Sequence, residues 1–109
     1  MMNPGPHYRF RFFFDPGSGT CLWSDNEAAR RKYDYAVDLK SLPLSENTYR
    51  ALLHLVFWFD TSLDWDDPSG PGPWTEEEKA RFRAATVQIL ADVRRELGHG
   101  YSIADESLI

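Results

Sequence analysis

Every second residue from Tyr8 to Phe14 is a large aromatic: Tyr8, Phe10, Phe12 and Phe14 share one parity, while Arg9 and Arg11 begin the other. Side chains alternate sides along a strand, so this pattern gives an extended segment with one aromatic face that has to be covered. That requirement narrows the fold to a sheet with something packed on it. The stop follows at once. Asp15-Pro16-Gly17-Ser18-Gly19 joins a proline that cannot donate to a ladder with glycines that tolerate positive φ. Thr20-Cys21-Leu22-Trp23 reads as a second, short strand, so the two make a hairpin.

Three helical stretches supply the cover. Ser24-Asp25-Asn26-Glu27 has capping-box spacing, which predicts Ser24 as the cap of a short helix ending near Tyr33. Asp34 to Leu42 shows no period and reads as a connection, with Ala36 to Leu39 able to extend. Ser45 caps a second helix, onto which Leu44 can staple through Tyr49. There Tyr49, Leu52, Leu53, Val56, Phe59 and Leu63 recur at helical spacing, and Leu55, Phe57 and Trp58 widen the stripe almost all round. A helix this apolar is central to the core or carries a partner surface, and His54 inside it reads as a hydrogen-bonded core histidine. Thr75-Glu76-Glu77-Glu78 caps a third helix over about Glu76 to Leu97, with Phe82, Thr86, Ile89, Leu90, Val93 and Leu97 on one stripe. Its acidic first turn, Arg94 and Arg95 near its end, and Gly98 after it all agree with the helix dipole and a C-terminal stop. Tyr101 to Ala104 alternates briefly and can return as an edge strand. The expected fold is α+β: an N-terminal β-hairpin, with a third strand available from the C-terminal tail, packed against two long helices and one short helix.

At 109 residues the chain is one domain, 1–109, with 1–7 and 105–109 expected as flexible ends. Seventeen acidic against twelve basic side chains give −5, which argues against a nucleic-acid partner. A single cysteine, Cys21, excludes an intramolecular disulfide and a thiolate zinc site. The N-terminal stretch lacks the apolar region of a signal peptide, and the longest uncharged apolar run, Ala51 to Phe59, is too short for a bilayer. A cytoplasmic protein with no membrane contact is expected, which also suits a lone free thiol.

Chemistry concentrates between the long helices. From Asp60 through Glu78 the chain carries seven acids (Asp60, Asp64, Asp66, Asp67, Glu76, Glu77, Glu78) and no base, so the remainder is slightly positive. Pro68, Pro71 and Pro73 with Gly70 and Gly72 shape the loop, and proline lowers the ordering cost of binding. Trp65 and Trp74 sit within it. Either both tryptophans fold back onto the helices and the carboxylates face water, or at least one Trp stands exposed among acids and anchors a basic partner. The two readings are compatible if one ring anchors and the other faces outward. A calcium loop starting at Asp64 fails at Pro68, Ser69 and Thr75, and nothing selects Asp64, Asp66 and Asp67 as a magnesium site over a solvated acidic turn. Cys21 with His7, His54 or His99 is the one nucleophile arrangement to weigh, against a buried inert thiol. No HExxH, GxSxG, P-loop or GxGxxG occurs.

Taken together, Phe12-Phe13-Phe14-Asp15-Pro16-Gly17-Ser18-Gly19-Thr20-Cys21-Leu22-Trp23, then Leu42-Pro43-Leu44-Ser45, then Asp60-Thr61-Ser62-Leu63-Asp64-Trp65, resemble small acidic bacterial immunity proteins of polymorphic-toxin and contact-dependent-inhibition systems. The likeness spans the first strand through the third helix. It implies a non-enzymatic binding protein that neutralises a cognate toxin by occluding its active site or substrate surface, and it carries over no catalytic residue, metal or cofactor. The residues themselves place the partner-binding set at Asp64, Trp65, Asp66 and Asp67, with Trp74, Glu76 and Glu77 at the rim, facing a toxin domain with a basic surface. The free protein is expected to be a monomer. The rival readings are a small Cys/His-dependent enzyme built on Cys21, and a regulatory or structural subunit docking through its apolar second helix.

Overall fold

A computed structural model describes residues 5–107. The strands are β1 (Tyr8–Phe12), β2 (Leu22–Ser24) and β3 (Tyr101–Asp105). The helices are α1 (Glu27–Tyr33), α2 (Glu46–Asp60) and α3 (Glu76–Leu97), with single 3₁₀ turns at Leu39–Ser41 and Gly98–Gly100. Sheet order is β2-β1-β3. β1 pairs antiparallel with β2 (Phe10 opposite Ser24, Phe12 opposite Leu22) and parallel with β3 (Tyr8 beside Tyr101, Phe12 beside Asp105). This is the α+β arrangement anticipated from the pattern, and the third strand does come from the C-terminal segment.

The alternation of β1 sets the layers. Phe10 and Phe12 are buried on the helix side, and Arg9 and Arg11 lie on the other. The inner aromatic face meets Leu52, Leu55 and Val56 of α2 and Phe82, Leu90, Val93 and Leu97 of α3 in one continuous core. Phe82 is the keystone of one end. Fully buried, it meets Phe14 at 5.2 Å, Trp58 at 5.0 Å and Trp74 at 5.0 Å between ring centroids. The other end is closed by Tyr8, Tyr33 and Tyr101, whose rings lie within 6.3 Å of one another, with the Tyr33 and Tyr101 hydroxyls hydrogen-bonded.

Local signals fixed most boundaries. Ser45 accepts from the Thr48 amide and Thr75 from the Glu78 amide, the caps expected for α2 and α3. The N-terminus of α2 is also clasped by α3: Glu96 accepts from the Ser45 amide at 2.7 Å and from the Ser45 and Thr48 hydroxyls. These bonds, the Thr48 hydroxyl first, hold the Glu96 carboxyl below the usual range. At the start of α1 two assignments differ from the sequence reading. Ser24 is not a cap; it closes β2, and its hydroxyl donates to the Asp34 carbonyl at 2.6 Å. The cap of α1 is Asn26, whose side chain accepts from the Ala29 amide at 2.9 Å and donates to the His7 carbonyl at 2.8 Å. The capping-box spacing matched one frame while Asn26 could also reach back to β1, and the tertiary contact decided between them. The connection after α1 runs beside β2, where the Ser24 amide donates to Tyr35 and the Val37 amide to Leu22.

At the far edge, Arg94 of α3 donates to the Ile103 carbonyl at 2.6 Å. β3 reaches Asp105, and Glu106 forms an ion pair with Arg11 at 2.7 Å, so both residues, assigned by sequence to a loose tail, lie against β1. Positions 1–4 and 108–109 of the expected flexible ends lie outside the described residues.

Replacing Phe82 by Ala removes the shared partner of α2, α3 and the strand end. The expected loss is about 3–5 kcal/mol of unfolding free energy by urea titration, a large share of the roughly 5–15 kcal/mol typical of such domains. A loss below about 1 kcal/mol would show that the neighbouring rings close the gap.

Candidate partner-binding site

The loop from Thr61 to Thr75 begins where α2 unwinds. Thr61 caps that end, its amide and hydroxyl both turned back on Trp58. The loop is then tied down at several points. Trp74 packs on the core against Phe82 and Phe59, and its indole N–H donates to the Thr61 hydroxyl at 2.8 Å. Gly72 holds φ +74°, and a Cβ there would lie 2.1 Å from the Ser62 carbonyl oxygen, so only glycine lets the returning chain pass this close to its own start. On the sheet side, the Asp60 carboxylate accepts from the Gly17 amide at 3.0 Å, which joins the loop to the β-hairpin turn.

The two tryptophans take opposite parts. Trp74 anchors, whereas Trp65 is 58% exposed. The Trp65 ring lies over Gly17 and its indole N–H donates to the Asp60 carbonyl at 3.1 Å, so the exposed ring is oriented rather than free. The carboxylates around it are arranged by the backbone. Asp64 accepts from the Asp66 amide at 3.0 Å, and the Asp67 amide donates to the Asp64 carbonyl at 3.0 Å. Among the described residues, no Lys, Arg or His comes within 4.0 Å of the Asp64, Asp66 or Asp67 carboxylates. Their charge is left for solvent or for another molecule.

The rim behaves differently. Glu76 pairs with Lys79 at 3.1 Å and Glu77 with Arg81 at 3.0 Å. Glu78 accepts from the Trp58 indole at 2.8 Å and pairs with Arg81. The Trp58 hydrogen bond first, then Arg81, hold the Glu78 carboxyl below its ordinary range. The charge of seven acids counted along the sequence is therefore divided. The three α3 acids share Lys79 and Arg81 from the following turn of their own helix, whereas Asp64, Asp66 and Asp67 have no such partner among the described residues.

Other features sort readily. Cys21 is fully buried, and burial pushes its thiol well above the range in which a thiolate forms at neutral pH. His54 is exposed on α2, contrary to its reading as a core histidine; the helix turns it opposite Leu52, Leu55 and Val56. Among the described residues, no three His, Cys, Asp or Glu side chains converge as metal ligands. Among the described residues, no helix is long and apolar enough to cross a membrane. Sequence reasoning missed an aromatic layer on the outer sheet face: Phe13 stacks on Trp23 at 4.8 Å, Arg11 lies over Phe13 at 5.1 Å, and Tyr35 packs on Trp23 at 5.4 Å. The second parity of the β1 run carried that signal, because Phe13 follows Arg9 and Arg11 on that side.

The molecule is thus a small α+β scaffold presenting an ordered, negatively charged tryptophan loop at one end of its helices. Residues 16–105 match the family described as Serratia CdiI immunity protein-like, and with most of its length matched the chain belongs to that family. The match starts at Pro16, past β1, and runs through the end of β3. No curated protein matches the chain. Family membership supports a toxin-neutralising immunity role in general terms.

The division between anchor and exposed ring has a measurable form. Trp74→Ala is expected to destabilise the fold by about 3 kcal/mol or more, as large aromatic truncations in packed sites do, while Trp65→Ala leaves the thermal midpoint almost unmoved. The Glu78 tie adds a pH signature. A carboxyl held low in the folded state stabilises it above the unfolded pKa, and that contribution fades as pH falls through the folded value. The Trp58 indole resonance is expected to titrate on acidification with a midpoint below the ordinary glutamate value of about 4.3. Glu78→Gln should abolish that acid step.

Proposed function

We propose that the protein neutralises its toxin without catalysis, by binding a basic surface of the toxin domain and covering its active site or substrate face. Trp65 is the central anchor, and Asp64, Asp66 and Asp67 supply the charge. Trp74, Glu76 and Glu77 lie at the rim, where Trp74 holds the loop in shape and the two glutamates add little free charge. The observation that carries this reading is the pairing of an exposed, oriented Trp65 with three carboxylates that have no cationic partner among the described residues. Exposed aromatic rings of this kind become hot spots when a partner desolvates them, and open carboxylates steer a cationic surface at long range. The loop is already tied to Gly17, Ser62 and Thr61, so little ordering cost remains on binding.

In this reading the free protein is a monomer acting in the cytoplasm, it needs no cofactor or metal, and it has no nucleic-acid or membrane partner. The Cys21 enzyme reading is disfavoured by full burial of the thiol. The partner is sought in the reading frame immediately upstream, as the C-terminal domain of a large secreted protein.

Binding to that domain is expected to weaken by about 2 kcal/mol or more in Trp65→Ala, the range of hot-spot truncations. Asp66→Lys with Asp67→Lys should cost more, and both variants should keep their thermal midpoints. Raising salt should slow association with little effect on dissociation. Titration calorimetry showing wild-type affinity in both variants would reduce the loop to scaffolding.

A further inference from the structure

Resting on that reading, we infer that the toxin contact continues from the acidic loop onto the outer face of α2, where an open groove formed by His54, Phe57, Trp58 and Thr61 takes an arginine side chain of the toxin domain. His54, Phe57 and Thr61 fall at three- and four-residue spacing, one stripe of α2 opposite the buried Leu52, Leu55 and Val56. The groove holds about 330 Å³. Phe57 is 57% exposed, and the His54 and Trp58 rings stand 5.7 Å apart and tilted by 40°. An aromatic side chain left in water on an otherwise well-packed helix does nothing for the core.

The chemistry of the lining selects the occupant. The polar side-chain groups of Trp58 and Thr61 are already engaged, and the His54 ring nitrogens remain exposed. The Trp58 indole N–H donates to Glu78, and the Thr61 hydroxyl donates to the Trp58 carbonyl and accepts from Trp74. What the groove offers is ring faces. A guanidinium is flat and weakly hydrated, and stacks on such faces while keeping its charge. The counter-charge is close along the chain. Asp60, whose carboxylate accepts from the Gly17 amide, adjoins Thr61, and Asp64 lies three residues past Thr61, no more than about 11 Å away by chain reach. Phe57 precedes Asp60 by three residues and Trp65 follows it by five, and they are two of the four exposed large hydrophobics among the described residues. In this inference, one basic surface approaching the carboxylates meets both rings.

The test uses the toxin domain encoded immediately upstream, with association and dissociation followed by surface plasmon resonance. Phe57→Ala and Phe57→Leu are expected to speed dissociation about tenfold or more, the scale of a hot-spot loss. Phe57→Tyr, which keeps the ring face, should stay near wild type. All three should fold with an unchanged thermal midpoint and keep the salt dependence of association. The Asp66→Lys, Asp67→Lys pair should instead slow association and flatten its salt dependence. Wild-type dissociation of Phe57→Ala, with the loop pair impaired, overturns the groove and leaves the loop reading standing. Wild-type behaviour of Phe57→Leu alone overturns the arginine, since an aliphatic face would then suffice. An unimpaired loop pair overturns the loop reading, and the claim that the groove continues it.

Discussion

The burial of Phe82 is the contact on which the remaining geometry depends. Its ring is shared by the end of the β1 run through Phe14, by α2 through Trp58 and Phe59, and by the loop through Trp74. Edge-to-face and tilted contacts of this kind are each worth about 0.5–1.5 kcal/mol beyond the area they bury. Because one side chain serves all of these segments, the distance between the helices and the path of the loop are set together. The loop is long and rich in proline and glycine, yet its shape follows from a core residue seventeen positions away from Trp65 in the chain.

Fixing Trp74 on that core divides labour within the loop. A ring that packs inward and bonds Thr61 leaves the intervening segment to arch outward, and Trp65 rides on the arch with its indole N–H held by Asp60. The charges divide by the same logic. A helix N-terminus attracts acids for its own dipole, and the basic residues one turn on pair with them. Carboxylates on the arch have no such turn beneath them. Local density of acids along a sequence is therefore a poor measure of surface potential, and the secondary structure decides which of them remain open.

The fold was largely readable because its signals are local and periodic. Alternation at Tyr8–Phe14 gave β1 and its buried parity, and the Ser45 and Thr75 caps gave the starts of α2 and α3. What failed depended on distant partners. Ser24 and Asn26 both suit a cap, and the His7 carbonyl and Arg9 amide, far back in the chain, favour Asn26. The stripe on α2 was nearly continuous, so periodicity could not say that Phe57 and His54 turn outward while Leu55 and Val56 turn in. For the loop, the sequence left open which tryptophan packs inward, and the structure packs Trp74 on Phe82 while Trp65 stays exposed. The pairing of Glu76 and Glu77 with Lys79 and Arg81 was also written in helical spacing, at three and four residues, although a count of acids ending at Glu78 stopped short of it.

The guanidinium of Arg94 on the Ile103 carbonyl has a consequence for how copies of this protein coexist. An outermost strand exposes unpaired backbone groups that can template a neighbour's strand. Here a helix side chain occupies one of those acceptors on the rim of β3, and a stranger's amide finds it already taken. Molecules packed closely together are thereby discouraged from zipping into a shared ribbon through this edge.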